Sequence, residues 1–141
     1  MESWRKVWRE GLVPQLSAAG LQALRRGLLS DDERLLQGST ITPPALHCVQ
    51  DWPVEGACAL AYCGWQGDGL ETVAEVEEFF ARACFEVDQT LGEPAACRWF
   101  LNWFDDTPRE EMRSLLLAEV ERALAQRAAE KRADRDETAA A

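Results

Sequence analysis

The sequence predicts an all-α fold: one compact bundle of about five to six helices around a buried Trp- and Phe-rich helix. Three observations predict it. Residues 93–106, read E-P-A-A-C-R-W-F-L-N-W-F-D-D, place apolar side chains almost all the way round a helical axis. A helix apolar on nearly every side is normally an interior one. Two Thr-x-x-Glu signatures, Thr72 to Glu75 and Thr107 to Glu110, bracket this stretch and mark helix starts. Apolar residues on both sides of it recur at the three- and four-residue spacing of an amphipathic helix.

At 141 residues the chain is of ordinary domain size, long enough to bury roughly two-thirds of its unfolded surface. The reading is one helical domain over residues 1–132, with an extended connector at 39–56 inside it and a disordered, charged and Ala-rich tail at 133–141.

Taken in order, Trp4, Val7, Trp8 and Leu12 fall on one helical face, with Arg5, Lys6 and Arg9 turned away. Gly11 and Pro14 close this helix. Ser17 offers an N-cap to a second, whose inward stripe is Leu21, Leu24 and Leu28, and whose last turn Gly27 weakens. A brief turn through Arg34, Leu35 and Leu36 follows, capped by Ser30 or Asp31 and stopped by Gly38.

Residues 39–56 carry three prolines, and residues before proline avoid the α region. They read as an extended crossing segment pinned by Ile41, Leu46, Val49 and Trp52. The run from Ala57 to Trp65 is Ala-rich and reads as a buried helix with Pro53 in its first turn, a short central strand being the alternative. Thr72 caps the next helix, which runs to about Leu91 with Val73, Val76, Phe80, Ala83, Val87 and Leu91 inward, and Gly92 ends it. Pro94 suits the first turn of the aromatic helix. The last helix carries a stripe of Met112, Leu115, Leu116, Val120, Ala123 and Leu124.

The formal charge is −10, unevenly spread. Up to Ser30 five basic residues face two acidic ones, a balance of +3; the remainder carries ten basic against 23 acidic, −13. Overall acidity argues against nucleic-acid binding, which needs a clustered positive surface. The basic N-terminal segment is expected to lie against the chain's own acidic body. No apolar run reaches the roughly 18–20 residues of a membrane helix, and the first ten residues alternate charge with aromatics instead of forming a signal peptide. A cytoplasmic protein is the expectation. Five cysteines, an odd number without small-scaffold spacing, then read as reduced thiols.

The candidate sites are few. His47, Cys48, Cys58 and Cys63 are the weak candidates for zinc. The C-x4-C spacing exceeds that of common zinc sites, and Cys58 and Cys63 would stand about 140° apart on a helix. His47, the only histidine, with Cys48 is the candidate for imidazole-assisted thiol chemistry, but no cysteine-hydrolase motif flanks it. The glycine-rich run Gly64-Trp65-Gln66-Gly67-Asp68-Gly69 lacks a Walker lysine and leads into a Glu-rich helix, so it reads as a tight connection. Arg98, Asn102 and Asp105 form one polar stripe on the aromatic helix. Trp4, Trp8, Trp52 and Trp65 are the candidates for exposed anchors, since tryptophan is enriched at binding hot spots.

With no convergent catalytic set, the leading expectation is a non-catalytic cytoplasmic protein-interaction or regulatory (adaptor) module. It would bind a protein partner through Trp4, Trp8, Trp52, Trp65, Arg98, Asn102 and Asp105, with no cofactor, nucleic acid or membrane. The alternative is a small-molecule-binding or enzymatic domain using His47, Cys48 and the Arg98/Asn102/Asp105 stripe. A zinc-stabilised module is the third.

Overall fold

The computed structural model describes residues 1–39, 41–42 and 52–140. Most of the expected connector, His47 and Cys48 included, lies outside the described residues.

The described residues form an all-α bundle. Helix α1 (Ser3–Lys6) continues as a π-helical turn over Val7–Leu12 and a 3-10 turn over Val13–Gln15. Then come α2 (Ala18–Ser30), α3 (Ala59–Tyr62) with a second π-helical turn over Cys63–Gly67, α4 (Val73–Leu91), α5 (Cys97–Asp106) and α6 (Arg109–Ala140). Two two-residue strands, β1 (Ile41–Thr42) and β2 (Gly56–Ala57), pair antiparallel with Ile41 opposite Ala57. Leu35 bridges to the same Ala57. Among the described residues no helix is long and apolar enough to cross a membrane.

Helix starts follow the local chemistry. The Ser17 hydroxyl accepts from the Gly20 amide at 2.9 Å and opens α2. At α4 the Thr72 hydroxyl accepts from the Glu75 amide, and the Glu75 carboxylate accepts from the Thr72 amide, completing the capping box. Gly92 ends α4 with φ +67°, the left-handed conformation a helix terminus favours. The signature at Thr107 is not used in the same way. Its hydroxyl and amide both donate back to the Trp103 carbonyl, closing α5. Glu110 is drawn instead to Arg113 at 3.3 Å. Nor does Pro53 start α3: it bridges to Thr72, and the helix begins six residues later, at Ala59.

The core is one apolar cluster. Leu21, Leu24 and Leu28 from α2 meet Leu60 from α3, Val76 and Val87 from α4, and Met112, Leu116 and Val120 from α6. Helix α2 packs along α6 and the Cys63–Gly67 turn, while α1 packs on α5. Tyr62 lies across α2 at Gly27. A Cβ built there would sit 2.7 Å from the Tyr62 hydroxyl oxygen and 2.8 Å from Cζ. Gly27 is thus less a weakness of α2 than the notch that seats this ring.

Helix α5 departs from expectation. Cover on every flank but the polar stripe was expected; instead the helix turns one face inward, with Cys97, Phe100 and Phe104 buried. Phe100 stacks on Trp8 at 5.5 Å between ring centroids and lies 6.2 Å from Phe104. Trp103 lies parallel to Trp4 at 3.6 Å, with planes 5° apart. The cluster that α5 organises is therefore shared with the N-terminal helix rather than enclosed by α5 itself. The start of α5 is also moved from Pro94 to Cys97. The turn before it passes through Ala95 at φ +60°, and the Asp88 carboxylate accepts from the Cys97 amide at 2.9 Å.

Candidate interaction surface

The exposed arc of α5 follows from its periodicity. At about 100° per residue, Phe100, Phe104 and Cys97 fall on the inward face, so Asp105, Arg98, Asn102, Asp106 and Trp99 line the opposite one. All five are exposed. The polar stripe Arg98/Asn102/Asp105 is thus a surface, not an interior seam. Among the described residues it is tied to the rest of the molecule at its Asp105 end. Asp105 accepts from the Gly38 amide at 2.8 Å, while the Gln37 side-chain amide donates to the Phe104 and Thr107 carbonyls at 2.7 and 2.8 Å. These bonds hold the end of α5 against the chain leaving α2.

Beside this stripe stands Trp99, 43 % exposed. Phe85 on α4 is 60 % exposed, and Trp52 is 46 % exposed where the chain re-enters the bundle. Trp99 and Phe85 were not among the anchors expected from sequence. The sequence did carry a signal for Trp99, which with Trp103 forms a second aromatic ladder on α5 beside Phe100 and Phe104 and becomes a partner face if the bundle leaves it uncovered.

Two of the expected anchors go the other way. Trp4 and Trp8 are buried core residues, not exposed ones. They share the inward face of the first helix with Val7 and Leu12, and α5 leaves an aromatic face for that helix to cover. Trp65 is intermediate. Its ring meets Tyr62 edge-on at 6.0 Å, and the Arg34 guanidinium lies over it at 5.2 Å. Of the four anchors, Trp52 alone remains open.

The charged side chains around this frame are engaged in building it. Glu119, 6 % exposed, accepts two hydrogen bonds from Arg9 at 2.8 Å each and lies 3.3 Å from Arg5. The Arg9 hydrogen bonds lower its pKa below the usual carboxylate value. The basic N-terminal segment does lie on the acidic body. At the other end of α6, Arg109 donates to Asp31 and to the Asp32 and Leu35 carbonyls, and Arg113 donates to the Leu28 and Leu29 carbonyls. A helix leaves its last carbonyls without intrahelical donors; Arg113 supplies them at Leu28 and Leu29 of α2, while Arg109 ties down the residues that follow it. Asp32 accepts from Arg34 and from the Tyr62 hydroxyl, which is 2.7 Å away. The Arg34 bond above all holds the Asp32 carboxyl well below its ordinary range. Burial, reinforced by Asp32, pushes Tyr62 up.

The cysteines divide into two kinds. Cys58 and Cys63 are buried, and burial pushes the Cys58 thiol up to about 12 and Cys63 upward as well. Cys63 donates to the Ala59 carbonyl within its own helix. A buried, protonated thiol is a poor nucleophile and metal ligand. Among the described residues no group of three His, Cys, Asp or Glu is placed to hold a metal ion. Cys84 and Cys97, by contrast, bring their sulfurs within 3.0 Å of each other.

The glycine-rich run is not a phosphate cradle in shape or charge. Cys63–Gly67 is helical, and Asp68 accepts from the Ser17 hydroxyl at the point where the chain turns. A shallow cleft of about 280 Å³ between α2 and α6 is lined by Leu28, Leu29, Glu110, Arg113, Ser114 and Leu117. A smaller one of about 210 Å³ beside α4 is lined by Leu70, Glu75, Glu78, Phe79 and Arg82. Comparison of this chain with known protein families, with curated proteins and with solved structures returns no match.

Proposed function

We propose that this protein is a non-catalytic interaction module of the cytoplasm, binding a protein partner through the exposed face of α5. The observation that carries the reading is the Trp99 indole, 43 % exposed beside Arg98, Asn102, Asp105 and Asp106. A large aromatic bordered by polar groups of both signs matches the composition of protein-binding hot spots and their rims. The net charge of −10 favours a partner with a basic surface over nucleic acid. The cytoplasmic assignment rests on the sequence, whose five cysteines are odd in number and lack small-scaffold spacing.

The test compares the chain with its Trp99→Ala variant as bait in native lysate, followed by titration of the captured protein. A buried hot-spot tryptophan contributes about 2 kcal/mol or more, so the variant should bind roughly thirty-fold more weakly. An exposed indole adds little to folding, so the unfolding midpoint should hold within about 0.5 kcal/mol of wild type. Identical capture by both baits, or no specific capture by either, would overturn the proposal.

A further inference from the structure

Cys84 lies on α4 and Cys97 opens α5, thirteen residues further on, yet their Sγ atoms are 3.0 Å apart. That is well inside ordinary contact between sulfurs. A disulfide needs a separation of about 2.05 Å, so only about 1 Å of approach remains. The backbone sets this distance. Gly92 and Ala95 both take positive φ, at +67° and +60°, and reverse the chain between the two helices. For alanine that conformation carries strain, which persists only where the surroundings enforce it. Here the Asp88 carboxylate, one turn beyond Cys84, accepts from the Cys97 amide at 2.9 Å and holds the reversed chain in place.

We propose that Cys84 and Cys97 form an oxidant-responsive dithiol site, which a hydroperoxide converts into a disulfide joining α4 to the start of α5. The two cysteines take different roles because they are differently exposed. Cys84 is partly open to solvent and Cys97 is buried. Cys84 is the attacking sulfur. The hydrogen bond between the two sulfurs favours the Cys84 thiolate against the opposing effects of burial and the Asp88 charge, while the same bond and burial hold the Cys97 thiol protonated. Partly exposed thiolates beside a second thiol are the susceptible ones.

The Cys84 sulfur attacks the near oxygen of hydrogen peroxide and the O–O bond breaks. Cys84 becomes a sulfenic acid, and the leaving hydroxide takes up the Cys84 proton as water. The Cys97 sulfur then attacks the Cys84 sulfur. The S–S bond forms, the S–O bond breaks, and the departing hydroxide leaves with the Cys97 proton as a second water. Two thiols are oxidised by two electrons in total and one peroxide is reduced to two waters. Any dithiol reductant reverses the process by thiol–disulfide exchange. Cys58 and Cys63 do not compete, both being buried, one just before α3 and the other just after it.

The full reduced chain is treated with one equivalent of hydrogen peroxide, quenched in acid, unfolded, alkylated and digested with trypsin. Cleavage after Arg82 and Arg98 places both cysteines in one peptide, residues 83–98. The expected result is that this peptide loses the mass of two hydrogens, takes up no label, and regains both labels after dithiothreitol. The Cys97→Ser variant should instead accumulate a dimedone-reactive sulfenic acid at Cys84, and Cys84→Ser should leave Cys97 a labelled thiol. Circular dichroism of each variant establishes that it is folded, and the wild-type peptide is decisive whether or not it is. Full labelling of both thiols after the peroxide is consumed would overturn the proposal. So would disulfides spread equally over Cys48, Cys58 and Cys63, or linkage between chains.

Discussion

Replacing Gly27 by alanine sets helix propensity against the Tyr62 ring that crosses α2 at that position. In the interior of an exposed helix the change would stabilise by about 0.8–1.0 kcal/mol, because glycine gives up more backbone freedom on folding. Here the new methyl would meet the Tyr62 hydroxyl oxygen at 2.7 Å, Cζ at 2.8 Å and Cε1 at 3.0 Å. The contacts are with the ring itself, so no small rotation relieves them. The ring must move, and overpacking of this kind costs about 1–3 kcal/mol. Displacement also loosens the bond from the Tyr62 hydroxyl to Asp32, now 2.7 Å, at about 1 kcal/mol for a partly solvated pair. Clash and lost bond together outweigh the propensity gain, leaving Gly27→Ala less stable by about 1–3 kcal/mol. Urea denaturation followed by far-ultraviolet circular dichroism measures this. In a Tyr62→Ala background the obstruction is gone, and the same substitution should become neutral or stabilising by about 1 kcal/mol. A Gly27→Ala protein at least as stable as wild type would refute the reasoning, as would an equal loss in both backgrounds.

Phe104→Ala, which empties a fully buried site beside Phe100, should cost about 3–5 kcal/mol in the same assay. Thr72→Ala removes the hydroxyl half of the α4 capping box and should cost about 1 kcal/mol, with amide exchange accelerating first in the N-terminal turn of α4. Asp32 and Glu119 have folded pKa values below their unfolded ones, through Arg34 and Arg9 respectively. Their contribution is therefore fully present above the unfolded carboxylate range of about 4 and is lost as pH falls through the folded values. Denaturation midpoints should hold from neutral pH to about 5 and decline below about 4, and Asp32→Asn should flatten that decline. Midpoints that rise on acidification would contradict the assignment.

The parts of this fold legible in the sequence are those set by short-range chemistry. Thr72, Glu75 and Gly92 bound α4 as their side chains and backbone require, and the spacing of Leu21, Leu24 and Leu28 picks the buried face of α2. Composition also carried information across the chain: the excess of basic charge before Ser30 does find acidic partners, in Arg5 and Arg9 with Glu119. The parts that stayed hidden depend on what lies opposite. Residues 93–106 are apolar on so many sides that periodicity could not say which side the bundle would take. The structure takes the Phe100/Phe104 side, exposes Trp99, and draws Trp4 and Trp8 into the gap. Thr107 could cap α6 or close α5, and its hydroxyl donates to the Trp103 carbonyl. The Cys84–Cys97 approach has no local signal, since it is made by a reversal through Ala95 that no propensity favours. Of the candidate site, the polar stripe was readable as three residues in helical register. Its exposure was not, because the same stripe in a covered helix would be a buried seam.

The parallel indoles of Trp4 and Trp103, 3.6 Å apart, give the molecule a built-in optical gauge. Indole absorbs within the far-ultraviolet range normally taken to measure helix, so any coupling between rings this close is read there. A Trp103→Phe chain recorded beside the wild type separates that contribution from the helical signal. The difference between the two spectra isolates one event, the seating of the first ten residues, and lets it be timed separately from the collapse of everything else.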